Sequence, residues 1–145
     1  MKNIILLTHG DFSKGIAQSC RFILGEVQNM TALSITLNET VDEVKAMVEE
    51  ARAAFGNDGP TILLTDIPGG STTQAGIRVM AERQDVYLVT GLNLGLLVSL
   101  ILLELSGDYE SNLAAIRHVV AEARETITLV NDMTEDAGLT EDGEL

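Results

Sequence analysis

Two polar residues stand where apolar runs stop. His9 follows Ile4-Ile5-Leu6-Leu7-Thr8 and precedes Gly10, while Asp66 follows Thr61-Ile62-Leu63-Leu64-Thr65 and precedes Ile67-Pro68-Gly69-Gly70-Ser71. In an open parallel α/β sheet, ligands and chemistry collect beyond the carboxyl ends of strands, near the point where strand order reverses. A neutral imidazole placed there is a nucleophile, and its two nitrogens can take separate tasks. If the two strands are neighbours, Asp66 can accept from Nδ1–H, fix the tautomer and leave Nε2 to attack. Gly69 and Gly70 allow backbone amides to turn toward an anion, and the N-terminus of a following helix adds partial positive charge. Ser71 or Thr72 can cap that helix and also donate a hydroxyl to the ligand. A nucleophilic nitrogen, an orienting carboxylate and an anion cradle together describe a phosphohistidine site. A plainer reading stands beside it: a hydrogen-bonded structural histidine, a polar strand end and a glycine turn that only starts a helix.

The elements that must position these residues are legible as an alternation. Runs rich in Ile, Leu and Val without polar alternation suit parallel strands covered on both faces, and they are predicted at residues 3–8, 32–37, 61–65 and 86–90. Helical patterns lie between and after them, at 13–24, 41–55, 72–83, 94–105 and 109–125. Gly25 stands just past the first helix, and Thr40-Val41-Asp42-Glu43 has the pattern of a capping box at the start of the second. Repeated strand–helix units predict a doubly wound three-layer αβα sandwich, and right-handed crossovers limit its topology. A parallel sheet in 2-1-3-4 order would place the first and third strands side by side. The run Ile127-Thr128-Leu129-Val130 either extends the last helix or forms a short extra strand.

Composition narrows the function classes. At 145 residues with 46% hydrophobic content, the chain fits one domain with a real core. Residues 132–145 hold six of the 22 acids and none of the nine bases, so an acidic, solvated tail is expected after a domain spanning residues 1–131. The formal charge of −13 disfavours nucleic acid and anionic membrane surfaces as partners. Residues 86–103 carry no charge, but a turn at Gly91-Leu92-Asn93 divides them into strand and helix, so no membrane insertion is expected. Met1-Lys2-Asn3 leads directly into a strand without a secretory leader, and Cys20 has no partner for a disulfide, which together predict a cytoplasmic location. No Walker-type lysine motif, dinucleotide fingerprint or zinc-type spacing is present, so neither cofactor nor metal is expected. His118 reads as a surface or packing histidine, Cys20 as a small buried hydrophobe, and Tyr87 and Tyr109 as too isolated for a stacking platform.

At these residues the chain resembles the enzyme IIA components of the mannose-type sugar phosphotransferase system. The likeness covers about residues 2–130 and is carried by Thr8-His9-Gly10, Ile23-Leu24-Gly25-Glu26, the Thr65–Ser71 stretch and Val89-Thr90-Gly91-Leu92-Asn93-Leu94-Gly95-Leu96-Leu97. The resemblance implies a phosphotransferase in which His9 accepts a phosphoryl group from phospho-HPr and passes it to a IIB subunit for sugar uptake. It implies that Asp66 hydrogen-bonds His9, and that Ser71 with the amides near Gly69, Gly70 and Thr72 holds the phosphoryl group. It also implies a homodimer with a fifth, antiparallel strand exchanged between subunits, a role that residues 127–130 would fit. Many members continue after Ser71 with Pro-Phe-Asn, where this chain has Thr72-Thr73-Gln74, a departure at the rim of the pocket. With no IIB domain after the acidic tail, a separate IIB partner is expected. Alternative readings are the phosphotransfer subunit of a dihydroxyacetone kinase, a non-catalytic flavodoxin-like module binding an anion at residues 69–71, and a dimerisation domain built on the helix at 94–105.

Overall fold

A computed structural model describes residues 1–133, so most of the expected acidic tail lies outside the described residues. Four strands, β1 (Asn3–His9), β2 (Met30–Ile35), β3 (Thr61–Thr65) and β4 (Val86–Thr90), form one parallel sheet in the order β2-β1-β3-β4. The helices are α1 (Phe12–Leu24), α2 (Val41–Ala54), α3 (Ser71–Glu82), α4 (Leu94–Leu102) and α5 (Tyr109–Arg124), followed by a 3-10 turn at Val130–Met133. The expected sandwich and strand order are therefore present. The central strands β1 and β3 are buried along their whole lengths, His9 excepted, which is why their sequences run apolar without alternation.

Strand side chains alternate between faces, and the two resulting cores separate the helices into layers. Ile4, Leu6, Ile62, Leu64, Tyr87 and Val89 point to α1, α4 and α5, whereas Ile5, Leu7, Leu63 and Val86 pack against α2 and α3. Chain reversal between β1–α1–β2 and β3–α3–β4 puts the switch point between β1 and β3, with Leu7 opposite Thr65. At 9 residues α4 is short, and no helix among the described residues is long and apolar enough to cross a membrane.

Several boundaries differ from the sequence reading. β2 begins and ends two residues early: Asn29, at φ 57°, turns the chain in, and Thr36 leaves the strand to bind Glu39 through both its N–H and its hydroxyl. α4 stops at Leu102, not residue 105, because Leu103 turns extended and the Lys2 ammonium donates to the carbonyls of Ile101 and Leu103. α5 ends at Arg124, where Thr126 closes back on the Ala123 carbonyl through both N–H and hydroxyl, so residues 127–130 do not extend this helix. The capping box at Thr40 and Glu43 forms as expected. Tyr87 and Tyr109 are not isolated from one another: their rings stack with centroids 5.5 Å apart, and Asn112 donates to the Tyr87 hydroxyl.

Candidate active site at the carboxyl edge of the sheet

The histidine is aimed by the turn that follows it. Gly10 takes φ 58°, a left-handed conformation that suits glycine, and its N–H binds the Ile35 carbonyl of β2. Thr8, fully buried, accepts the Ser13 N–H, while the Ser13 hydroxyl donates to the Leu33 carbonyl. These bonds fix the passage from β1 into α1 around His9, whose side chain stays 37% exposed.

Asp66 comes from the neighbouring strand end and is only 13% exposed. Its Oδ2 accepts the His9 backbone N–H at 2.8 Å and meets His9 Nδ1 at 2.8 Å. Its Oδ1 accepts the Ile67 N–H at 3.0 Å and the Thr72 hydroxyl at 3.2 Å. Burial opposes the charged carboxylate, but the hydrogen bonds from the His9 backbone and ring, with the attraction of the imidazole, outweigh it and hold the carboxyl below its ordinary value. An ionised acceptor on Nδ1 places the ring proton there, so Nε2 carries the free lone pair.

Gly70 closes the site from the other side. It is the N-cap of α3, and a Cβ added to it would lie 2.9 Å from His9 Cε1 and 3.4 Å from Nε2. Only a glycine lets the backbone approach the imidazole this closely. No side chain caps α3, so the amides at its first turn remain available beside Nε2. Ser71 opens the helix and is half-buried, Gly69 has open space around its Cα, and Thr72 is fully buried with its hydroxyl on Asp66. The structure thus brings His9, Asp66, Gly70 and Thr72 together, with Ser71 following Gly70 as the first residue of α3 and Gly69 preceding it on the turn.

One positioning residue went unrecognised in the sequence. The Thr73 hydroxyl donates to the Ile67 carbonyl at 2.7 Å and contacts the Thr65 hydroxyl at 2.7 Å and that of Thr90 at 3.4 Å. It ties the Asp66–Gly70 loop to the ends of β3 and β4. The threonines that end these strands were the available signal, but their convergence depends on β3 pairing with β4. The residues set aside lie elsewhere: Cys20 is fully buried in the core, where burial pushes its thiol up, and His118 is exposed on α5 beside Glu122.

The fold and the site define an open parallel α/β protein with a carboxylate-held histidine facing a helix N-terminus at the switch point. The family model for the fructose IIA component of the phosphotransferase system matches residues 3–117. The chain belongs to this mannose-type IIA family. It is 27% identical over 101 residues to the fructose-specific EIIA component of Bacillus subtilis (strain 168), covering 70% of this chain and 69% of that protein. The phosphotransferase system component EIIA of Streptococcus agalactiae has the same fold, with a TM-score of 0.77 at 21% identity over 91% of this chain and 99% of the other. So does the mannose/sorbose-specific IIA subunit from Enterococcus faecalis, at TM-score 0.75 and 22% identity over 89% and 95% of the two chains.

Proposed function

We propose that this chain is the phosphocarrier between HPr and a IIB component, with His9 Nε2 as the phosphoryl acceptor and donor. The observation that carries the reading is the 2.8 Å contact between His9 Nδ1 and Asp66 Oδ2, which leaves Nε2 free against the start of α3. The Nε2 lone pair attacks phosphorus in line while the bond to the donor imidazole nitrogen breaks. A second in-line displacement by the IIB nucleophile then breaks the Nε2–P bond and returns His9 to its starting state. Asp66 stabilises the positive charge that the ring gains when Nε2 is phosphorylated. The amides of Gly70, Ser71 and Thr72 and the Ser71 hydroxyl face the phosphoryl oxygens. Neither cofactor nor metal enters the two transfers. No lysine or arginine binds the His9–Asp66 pair among the described residues, which suits a group that must leave again.

The same reading includes a homodimer with an exchanged strand. β4 is an edge strand, pairing with β3 alone among the described residues. Beside it runs a groove of about 490 Å³ with Leu88, Leu113, Ile116 and Val120 in its walls. Ile127, Leu129 and Val130 are exposed in the single chain, and an antiparallel strand from a second copy would cover both surfaces. The domain then spans residues 1–131, followed by the acidic tail, in a cytoplasmic protein that does not insert into a membrane.

Incubation with phosphoenolpyruvate, enzyme I and HPr tests the carrier reading. An acid-labile phosphoryl adduct should form and should be absent from His9→Ala. An adduct that survives this substitution overturns the assignment.

A further inference from the structure

The Thr72 hydroxyl has one proton to give, and the structure shows where it goes. Thr72 is fully buried, and its Oγ1 donates to Asp66 Oδ1 at 3.2 Å. With that proton engaged, only lone pairs remain on Oγ1, and these repel the oxygens of a phosphoryl group. We propose that Thr72 is a positioning residue: its hydroxyl holds Asp66 by Oδ1 so that Oδ2 faces His9, and it makes no direct contact with the phosphoryl group. The inference rests on the carrier reading above and assigns Thr72 a different part in it, since only its backbone amide is left to face the anion.

The carboxylate needs such a restraint. Rotation of an aspartate about its last torsion meets only a broad, roughly two-fold preference, so neighbours must set the plane. Oδ2 takes both bonds from His9, and Oδ1 takes the Ile67 N–H at 3.0 Å and the Thr72 hydroxyl. The Ile67 amide is the next one in the chain after Asp66, so its bond to Oδ1 is local. Thr72 instead sits in the first turn of α3, one residue ahead of Thr73, whose hydroxyl binds that loop to β3 and β4. The Thr72 bond therefore gives the carboxylate a second reference point, on Oδ1 from α3, beside the His9 backbone N–H that holds Oδ2 to the end of β1, and the two together set its plane.

Thr72→Val keeps the branched shape and the backbone N–H and deletes only the O–H, while Thr72→Ser restores it. Transfer from phospho-HPr to His9 should slow about tenfold in T72V, the scale of a lost hydrogen bond to a charged group, and return near the wild-type rate in T72S. In the Asp66→Ala background, which removes both carboxylate oxygens, T72V should add no further loss, because the hydroxyl acts only through the carboxylate. The ¹⁵N shifts of the His9 ring should report one dominant Nδ1–H tautomer in the wild type and T72S, and a mixture in T72V. A T72V loss that persists undiminished on D66A would show that the hydroxyl touches the phosphoryl group directly and overturn the proposal. Wild-type rate and tautomer in T72V would overturn it as well. If the wild-type chain accepts no phosphoryl group, the carrier reading fails, and the ring shifts alone decide whether Thr72 governs the Asp66–His9 pair.

Discussion

The two helical layers of the sandwich are held by different forces. On one face, α2 and the α3 region are laced by four ion pairs: Asp42–Arg78, Lys45–Glu82, Glu49–Arg83 and Arg52–Asp85. The α2 members fall at spacings that place them along one side of that helix. On the other face, no ion pair joins two of α1, α4 and α5 among the described residues; Lys14–Asp11 and His118–Glu122 are both local. There the apolar residues of α4 pack between α1 and α5, and Phe12, Phe22 and Ile23 of α1 stay exposed. The first layer pairs its charges between α2 and the α3 region, whereas the second is joined by apolar packing; exposed apolar side chains occur on both, with Ile77 and Met80 on α3. The site takes half from each: His9 leads through Gly10 into α1, whereas Asp66 and Gly70 lead into α3. The imidazole thus adjoins the layer joined by apolar packing, and the groups that aim it are rooted in the stitched one.

Removing each half in turn should break this division in a graded way. His9→Ala should abolish the phosphoryl adduct with little change in melting temperature, because the side chain is partly exposed at an edge. Asp66→Asn should slow transfer about a hundredfold by unsettling the tautomer and the charge that compensates the ring, measured as the rate of adduct formation. Gly70→Ala should cost about tenfold, because its Cβ would press on His9 Cε1 from 2.9 Å and turn the ring; the ring shifts should move with the rate.

Smaller effects sharpen the contrast between the layers. The Asp66 carboxyl is held below its ordinary value, so its contribution to stability is complete above the unfolded value of about 3.9 and is lost as pH falls through the folded one. Melting temperature in D66N should therefore fall less steeply in acid than in the wild type. Arg78→Ala, at an exposed pair, should cost about 0.2–1 kcal/mol, less at high salt, and leave the transfer rate unchanged. Phe22→Ser should leave stability nearly unaltered, since the ring is 93% exposed. A salt-insensitive loss in the Arg78 variant, seen in melting curves, would remove the ionic account of the α2–α3 layer.

Much of this fold was legible because its signals are local. β1 and β3 read correctly from uninterrupted apolar runs, since a strand covered on both faces has no polar side to display. β2, at the edge, carries half-buried residues through its middle, so its ends were set by Asn29 and by the Thr36–Glu39 bonds more than by hydropathy. α4 appeared longer than it is because its apolar run continues to residue 105, while the cap that stops it comes from Lys2, about a hundred residues away. Among the site residues, His9, Asp66 and the glycine turn were marked by position at strand ends. Thr73 was not, because a hydroxyl joining two strand ends and a loop has no local pattern.

What the sequence determined by itself was the set of parts: which residues end strands, which turns need glycine, and an alternation that admits few topologies. These follow from covalent geometry and from the side-chain period of strands and helices, which act over a few residues. Tertiary structure decided which parts meet. The Asp66 carboxylate reaches His9 across 57 residues of chain only because β1 and β3 are neighbours in the sheet. The Thr72 hydroxyl turns to Asp66, not outward, because α3 starts at Ser71 and places Thr72 on its buried side. A side chain's direction depends on where its helix begins and what packs against it, and neither is written in the residue's own neighbourhood.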